Sequence, residues 1–254
     1  MAHLKTRADV EKMRIAGRVV HRAIQTAGKA VAPGVTTAQL EDIASSIISD
    51  SGGTSPFLGY APQGHPPYPA WTCISVNSEI VHGIPGRYVL KAGDIVSIDC
   101  GAEIDGWIAD SAWTFPVGKI SPLAERLLKV TQDALFKGIA QAKAGHRVGD
   151  IGHAVQRHAE SHGFSIIREL TGHGVGRTLH EGLQIPNYGS RGRGTPLQCG
   201  MTFAIEPMIS AGRREIGCLD DEWTIVTADG SLSAHFEHTV AITTNGTEIL
   251  TNGE

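Results

Sequence analysis

The 254-residue sequence predicts an α+β fold made of two similarly ordered halves, on three observations. Apolar residues recur at helical spacing near the start and again after residue 121, and each run closes on a Gly or Pro signal. Short apolar or alternating runs of strand character follow each helical pair. The order helix, helix, antiparallel strands is met twice, with only a short spacer around residues 117–121. The whole chain, 1–254, is therefore expected to be one domain with pseudo-repeat halves of about 1–117 and 118–254.

The elements follow in order. A helix is expected from Asp9, because Val10, Met13, Ala16, Val19, Val20, Ala23 and Ile24 share a face and Pro33-Gly34 closes the run. A second covers residues 37–51, with Leu40, Ile43, Ala44, Ile47 and Ile48 on its apolar stripe. A Gly/Pro-rich loop then runs from Gly52 to Pro69. Strands are expected over residues 72–76, 94–102 and 107–115. In the second half Ser121 is an N-cap with Pro122 at the first helical position, opening a helix that Gly145 ends. A shorter helix spans residues 150–161. Strands return over residues 165–168, 201–206, 223–227, 234–242 and 248–250.

Composition excludes several classes of function. A formal charge of −4 with no Lys/Arg block argues against sequence-specific nucleic-acid binding. No stretch approaches ~18 consecutive apolar residues, so no membrane span is expected. The charged start lacks the apolar core of a signal peptide, which points to the cytoplasm. Four cysteines without a CxxC pair give neither a disulfide framework nor a thiolate zinc site.

Asp105-Gly106 between two strand-like runs marks a two-residue hairpin turn. That turn pairs Ile104 with Trp107, Gly101 with Asp110 and Asp99 with Ala112. Side chains alternate, so Asp99 and Asp110 share a face as diagonal neighbours with Cα atoms ~7–8 Å apart. Two adjacent carboxylates repel unless one protonates or a cation joins them. Asp105 is expected to serve the turn only.

A second carboxylate pair lies downstream. In residues 201–207, Met201, Phe203 and Ile205 alternate with Thr202, Ala204 and Glu206, and Pro207 stops the ladder. Glu237 is expected in a second strand, with Phe236 and Val240 on the opposite face. Between them His173 stands among Gly172, Gly174 and Gly176, where the backbone can make close approaches. His82 and His180 are further candidates, whereas His3, His21, His65, His146, His153, His158 and His162 read as surface or packing residues. Four carboxylates and one imidazole form an oxygen-rich donor set suited to Mn, Fe, Co, Zn or Mg, and four negative charges balance two divalent ions.

These residues resemble the type I methionine aminopeptidases over essentially the whole chain. The marks are residues 77–85, the Asp99 and Asp110 segment, Gly172-His-Gly-Val-Gly176 with His180, Ile205-Glu-Pro-Met208 and Phe236-Glu-His-Thr239. Type I fits better than type II because only a short segment separates His173 from Glu206. The resemblance implies the pita-bread fold, pseudo-twofold halves around an antiparallel sheet. It also implies five metal ligands, Asp99, Asp110, His173, Glu206 and Glu237. Asp99 and Asp110 would hold one cation, His173 and Glu206 the other, with Asp110 or Glu237 bridging. His82 and His180 would contact substrate. Two departures border the expected methionine pocket. Residues 61–67 lengthen a loop between Tyr60 and Tyr68, and Phe57 and Leu179 replace a small residue and an aromatic respectively.

The implied activity is removal of the initiator methionine from nascent proteins whose second residue is small, by attack of a metal-activated hydroxide. One cation would bind the free α-amine, Glu206 would act as general base and then acid, and His180 or His82 would stabilise the oxyanion. Phe57, Tyr60, Tyr68, Cys73 and Trp223 are candidates for the apolar pocket. The expected cofactors are two divalent cations (Co, Mn, Fe or Zn). Substrates are peptide N-termini, met in the cytoplasm or at the ribosome, and the protein is expected to be a monomer. The chain's own Met1-Ala2 is a sequence such an enzyme would process. Two alternatives are a proline-specific peptidase of the same fold and a non-catalytic binding protein built on it.

Overall fold

Local capping sets the helix starts. Thr6 accepts from the Asp9 amide at 3.2 Å while Asp9 accepts from the Thr6 amide at 3.0 Å, a reciprocal box that opens α1 (Arg7–Ala30). Thr36 and Gln39 repeat the device for α2 (Thr37–Asp50). Ser121 caps α3 (Pro122–Ile139), and the Asp150 carboxylate takes the Arg147 amide at the start of α4 (Val148–Ser161). The computed structural model describes residues 3–62 and 64–253; Met1, Ala2, Gln63 and Glu254 lie outside the described residues.

The first half continues with β1 (Thr72–Val76), β2 (Glu79–Val81), β3 (Ile95–Ile104) and β4 (Trp107–Pro116). The second adds β5 (Ser165–Ile166), β6 (Thr171–His173), β7 (Gln184–Pro186), β8 (Thr202–Ile205), β9 (Met208–Ser210) and β10 (Ile216–Cys218). It closes with β11 (Ile225–Thr227), β12 (Ser233–His235), β13 (His238–Thr243) and β14 (Gly246–Ile249). Every strand pairing among the described residues is antiparallel. β3 is the middle strand of β1-β3-β4, while β8 and β13 pair beside β14, and β9 lies between β12 and β5.

Helices cover one face of these strands. Val20, Ile24, Leu40 and Ile48 pack on Ile74, Val96 and Ile98 in the first half. Leu127, Leu135, Ile151 and Val155 pack on Phe203, Ile205, Phe236 and Val240 in the second. Trp113 packs against both groups. Shortening a fully buried side chain such as Leu135 to Ala costs about 2–5 kcal/mol. The opposite strand faces carry the polar residues described below. β4 meets the second half through single bonds rather than a regular ladder, with Glu237 N–H donating to Ala112 at 2.8 Å and Ile108 N–H to Gly176 at 2.8 Å.

Several expected elements are corrected. α3 stops at Ile139, well before Gly145, because the chain tightens into turns that bury Ala142. The expected strand over residues 234–242 is two strands, interrupted at Phe236-Glu237, so Glu237 is not a strand residue. The strand expected from Trp223 begins at Ile225. β2, β6, β7, β9 and β10 are each three residues long, too short to show a period.

Candidate metal centre and substrate cavity

The β3–β4 hairpin carries the first two carboxylates. Its turn is Asp105 (φ 51°) and Gly106 (φ 72°), left-handed at both positions as a type I′ turn requires. The register runs unbroken from Ile104↔Trp107 to Ile95↔Pro116 and includes Gly101↔Asp110 and Asp99↔Ala112. Thr239 Oγ1 donates to Asp110 Oδ1 at 2.9 Å and accepts from the Asp110 amide at 3.1 Å, tying this hairpin to β13. Asp99 faces Cys73 across the β1–β3 ladder.

The other two carboxylates sit where a second ladder opens. β8 and β13 pair as Ile205↔His238, and β9 and β12 pair as Met208↔His235. Between these rungs Glu206-Pro207 stands opposite Phe236-Glu237. Pro207 has no N–H to continue the ladder, and the Glu237 amide turns instead to Ala112 of β4. Both glutamates are buried, at 9% and 3% exposure.

His173 ends β6. Gly172 beside it is required, because a Cβ there would lie 2.4 Å from the Ala204 carbonyl. His173 Nδ1 lies 3.2 Å from the Gly174 carbonyl, so it donates there and leaves Nε2 facing Asp110 Oδ2 at 3.3 Å and Glu206 Oε1 at 3.6 Å. Ligand atoms of Asp110, His173 and Glu237 all lie within 4.8 Å of one another. Asp99 and Glu206 border the same cavity, a cleft of about 540 Å³.

The electrostatics are those of a crowded acidic site. Burial, reinforced by the Asp110 and Glu206 carboxylates against the pull of His235, pushes Asp99 up to about 7. Burial and the other three carboxylates push Glu237 well above the usual carboxylate range. Burial also opposes the charged form of Asp110, yet His173 and the Thr239 hydroxyl hold it below its ordinary value. His173 is pushed up to about 9 by Asp110 and Glu206, in spite of burial. Burial draws His82 and His180 down to about 4, so both are neutral at pH 7.

The apolar candidates line this cavity too. Phe57, Cys73, Leu179 and Trp223 are buried, and Tyr60 is half-buried. Tyr68 donates to the carbonyls of Gly83 (2.9 Å) and Thr72 (3.1 Å), which holds its ring 5.1 Å from that of Trp223. His82 adopts a left-handed φ of 60°, a strained state that places its ring 6.0 Å from Trp223. Tyr60 Oη lies 2.6 Å from His180 Nδ1, and the His180 ring stacks edge-on to His173 at 4.2 Å.

Two histidines need correction or addition. His65 is exposed, as expected of a surface residue, and in addition lines the cavity, bonds the Glu222 carbonyl at 3.1 Å and lies 5.3 Å from the Trp223 ring. His235, at 2% exposure, also lines the cavity and was not singled out by its pattern. The period of two that selects Glu237 puts His235 on the same face, so the signal was present.

Residues 11–244 match metallopeptidase family M24. Methionine aminopeptidase 1 of Bacillus subtilis (strain 168) is 49% identical over 247 residues, spanning 97% of this chain and 98% of its own. The crystal structure of methionine aminopeptidase from Thermotoga maritima superposes with a TM-score of 0.95 at 46% identity, covering 99% of both chains. A prolidase from Pyrococcus furiosus shares the fold alone, with a TM-score of 0.77 at 22% identity over 99% of this chain and 66% of that one. The chain belongs to metallopeptidase family M24 and has its pita-bread fold. Within that family it falls among the bacterial type I methionine aminopeptidases, which are metal-dependent hydrolases.

The residues present fit divalent metal. Asp99 Oδ1 is buried with no hydrogen-bond partner, an orphaned acceptor in a site of four carboxylates. Such a group is costly to bury unless a cation or donor meets it. The donor set is oxygen-rich with one imidazole and no thiolate, as hard and borderline divalent ions prefer.

Proposed function

We propose that this chain removes the initiator methionine from nascent polypeptides when the second residue is small, acting through residues 1–254 as one catalytic domain. The observation that carries this is the meeting, in one cleft, of four carboxylates and one imidazole with an apolar pocket. Asp99, Asp110, His173, Glu206 and Glu237 would hold two divalent cations. Cations bound there supply Lewis acidity and make water nucleophilic near neutral pH.

The chain's own residues do the rest. Glu206 takes a proton from the attacking water onto its carboxylate and returns it to the departing amine. Tyr60 Oη lies 2.6 Å from His180 Nδ1; with the tyrosine donating, His180 would carry its proton on Nε2 and could donate to the substrate carbonyl oxygen. His82, neutral for the same reason of burial, is a second donor. Phe57, Tyr60, Tyr68, Cys73, Leu179 and Trp223 receive the methionine side chain, and a narrow second subsite restricts the next residue. We assign the protein to the cytoplasm as a monomer acting on free peptide N-termini.

Metal-free protein, supplied in turn with Mn, Fe, Co and Zn, tests this on Met-Ala, Met-Leu and Ala-Pro peptides. Methionine release from Met-Ala, far slower release from Met-Leu and none from Ala-Pro are expected. Cleavage of Ala-Pro would favour the proline-specific alternative, and inactivity with every metal would favour a binding protein.

A further inference from the structure

Glu206 is bracketed by two imidazoles. Its Oε1 faces His173 Nε2 at 3.6 Å and its Oε2 faces His235 Nε2 at 3.6 Å. Neither separation is a hydrogen bond. His173 has the Asp110 carboxylate as a nearer partner, whereas His235 Nε2 is buried and has none. A buried imidazole nitrogen without a partner, 3.6 Å from a carboxylate oxygen, is one small movement of that carboxylate away from being satisfied.

The backbone around His235 is held rigidly for this task. His235 is the last residue of β12, and Thr114 of β4 both accepts from its amide (3.0 Å) and donates to its carbonyl (2.8 Å). Glu206 is held through its own carbonyl, which accepts from Asn187 Nδ2 at 2.9 Å. Backbones on both sides are thus pinned, and the carboxylate is the adjustable part. A shift of less than ~1 Å closes the Oε2 contact to a charge-assisted hydrogen bond of about 2.7–2.9 Å.

We propose that His235 is a positioning residue that donates from Nε2 to Glu206 Oε2, reserving Oε1 for metal and for the proton transfer. This rests on the metal-dependent reading of the site given above. The donation needs a proton on Nε2, which both the cation and one neutral tautomer of imidazole provide. Hydrogen-bonding partners of ligating carboxylates orient the ligand and are worth about 10–100-fold in metal affinity. His235 fits such a partner because its Nε2 faces Glu206 Oε2, the carboxylate oxygen other than the one facing His173.

Calorimetric titration of the metal-free full-length protein with Mn²⁺ tests this without substrate, so its outcome is separate from that of peptide cleavage. His235→Leu, which lacks any donor, should weaken Mn²⁺ binding about 10–100-fold. His235→Gln, whose amide N–H₂ reaches a similar point, should stay within about threefold of the unmodified protein. If His235→Leu does not fold, His235→Asn, a donor one bond too short, takes its place with the same expected loss. On Met-Ala peptides the donor-less variant should lose kcat with little change in KM, and Gln should restore it. Unchanged Mn²⁺ affinity in the donor-less variant would overturn the proposal. So would equal loss in the Gln variant, which would mean that packing or direct ligation by the imidazole, rather than donation, is what matters.

Discussion

The two carboxylate pairs are built by opposite means. Asp99 and Asp110 stand in an unbroken hairpin ladder, where turn chemistry and alternation place them side by side. Glu206 and Glu237 stand opposite each other at a break in a ladder, where a proline lacks an N–H and the Glu237 amide turns to Ala112. A continuous ladder gives rigid placement. The interrupted one leaves the Glu206 carboxylate between two imidazoles, with His173 and His235 each 3.6 Å from one of its oxygens. The difference suggests that the hairpin is the fixed wall of the site and the gap its adjustable one.

The comparison is tested most severely by neutralising one carboxylate in each wall. Asp99→Asn and Glu206→Gln should each lower turnover by ~10²-fold or more. The metal-free Asp99→Asn protein should be at least as thermally stable as the parent, because burial and its neighbours already disfavour that charge. Near-normal turnover in either variant would show that only one wall serves the reaction. At the seam between the walls, His173→Ala should lose bound metal, whereas His180→Ala and His82→Ala should keep it and lose about 10–10³-fold in rate. Metal analysis of the purified variants decides this, and equal loss in all three would merge roles that are separated here.

A smaller effect is expected on stability in the metal-free protein. His173 binds its proton more tightly folded than unfolded, with a folded value raised to about 9. Its contribution is therefore complete below about 6.5 and is lost as pH rises through 9. The melting temperature should fall across pH 7–9, and Asp110→Asn should flatten that slope. A parent slope that is already flat would remove His173 from the carboxylate network.

The smallest effect concerns residues 61–67. The Pro66 carbonyl accepts from Trp223 Nε1 at 3.1 Å, and Pro62 and His65 line the cavity. We expect this loop to shape the pocket entrance. Replacing five of its residues by a short turn should alter the relative kcat/KM on Met-Ala, Met-Thr and Met-Val several-fold, with metal affinity unchanged. A uniform factor on all three substrates, or none, would leave the loop without a part in selection.

These contrasts explain what was legible in the sequence. The hairpin register follows from Asp105-Gly106 and a period of two, so the positions of Asp99 and Asp110 could be read directly. The apolar stripe likewise places α2, and the Ser121 cap with Pro122 places the start of α3. Glu206 was legible because Pro207 marks a strand end. The break at Glu237 was not, since it depends on a bond to Ala112 in a distant strand. Three-residue strands such as β6 and β7 carry no period, and their pairing depends on long-range contacts. His65 was hidden because a loop residue's neighbours, here Glu222 and Trp223, are set by tertiary structure alone.

The central claim is that both walls hold one metal centre. Anomalous diffraction from crystals of the Mn²⁺-loaded protein tests it most directly. The account predicts strong peaks about 2.0–2.3 Å from oxygens of Asp99 and Asp110 and also from Glu206, Glu237 and the Nε2 of His173. Peaks coordinated by one wall only, or a metal seated away from this cleft, would contradict it.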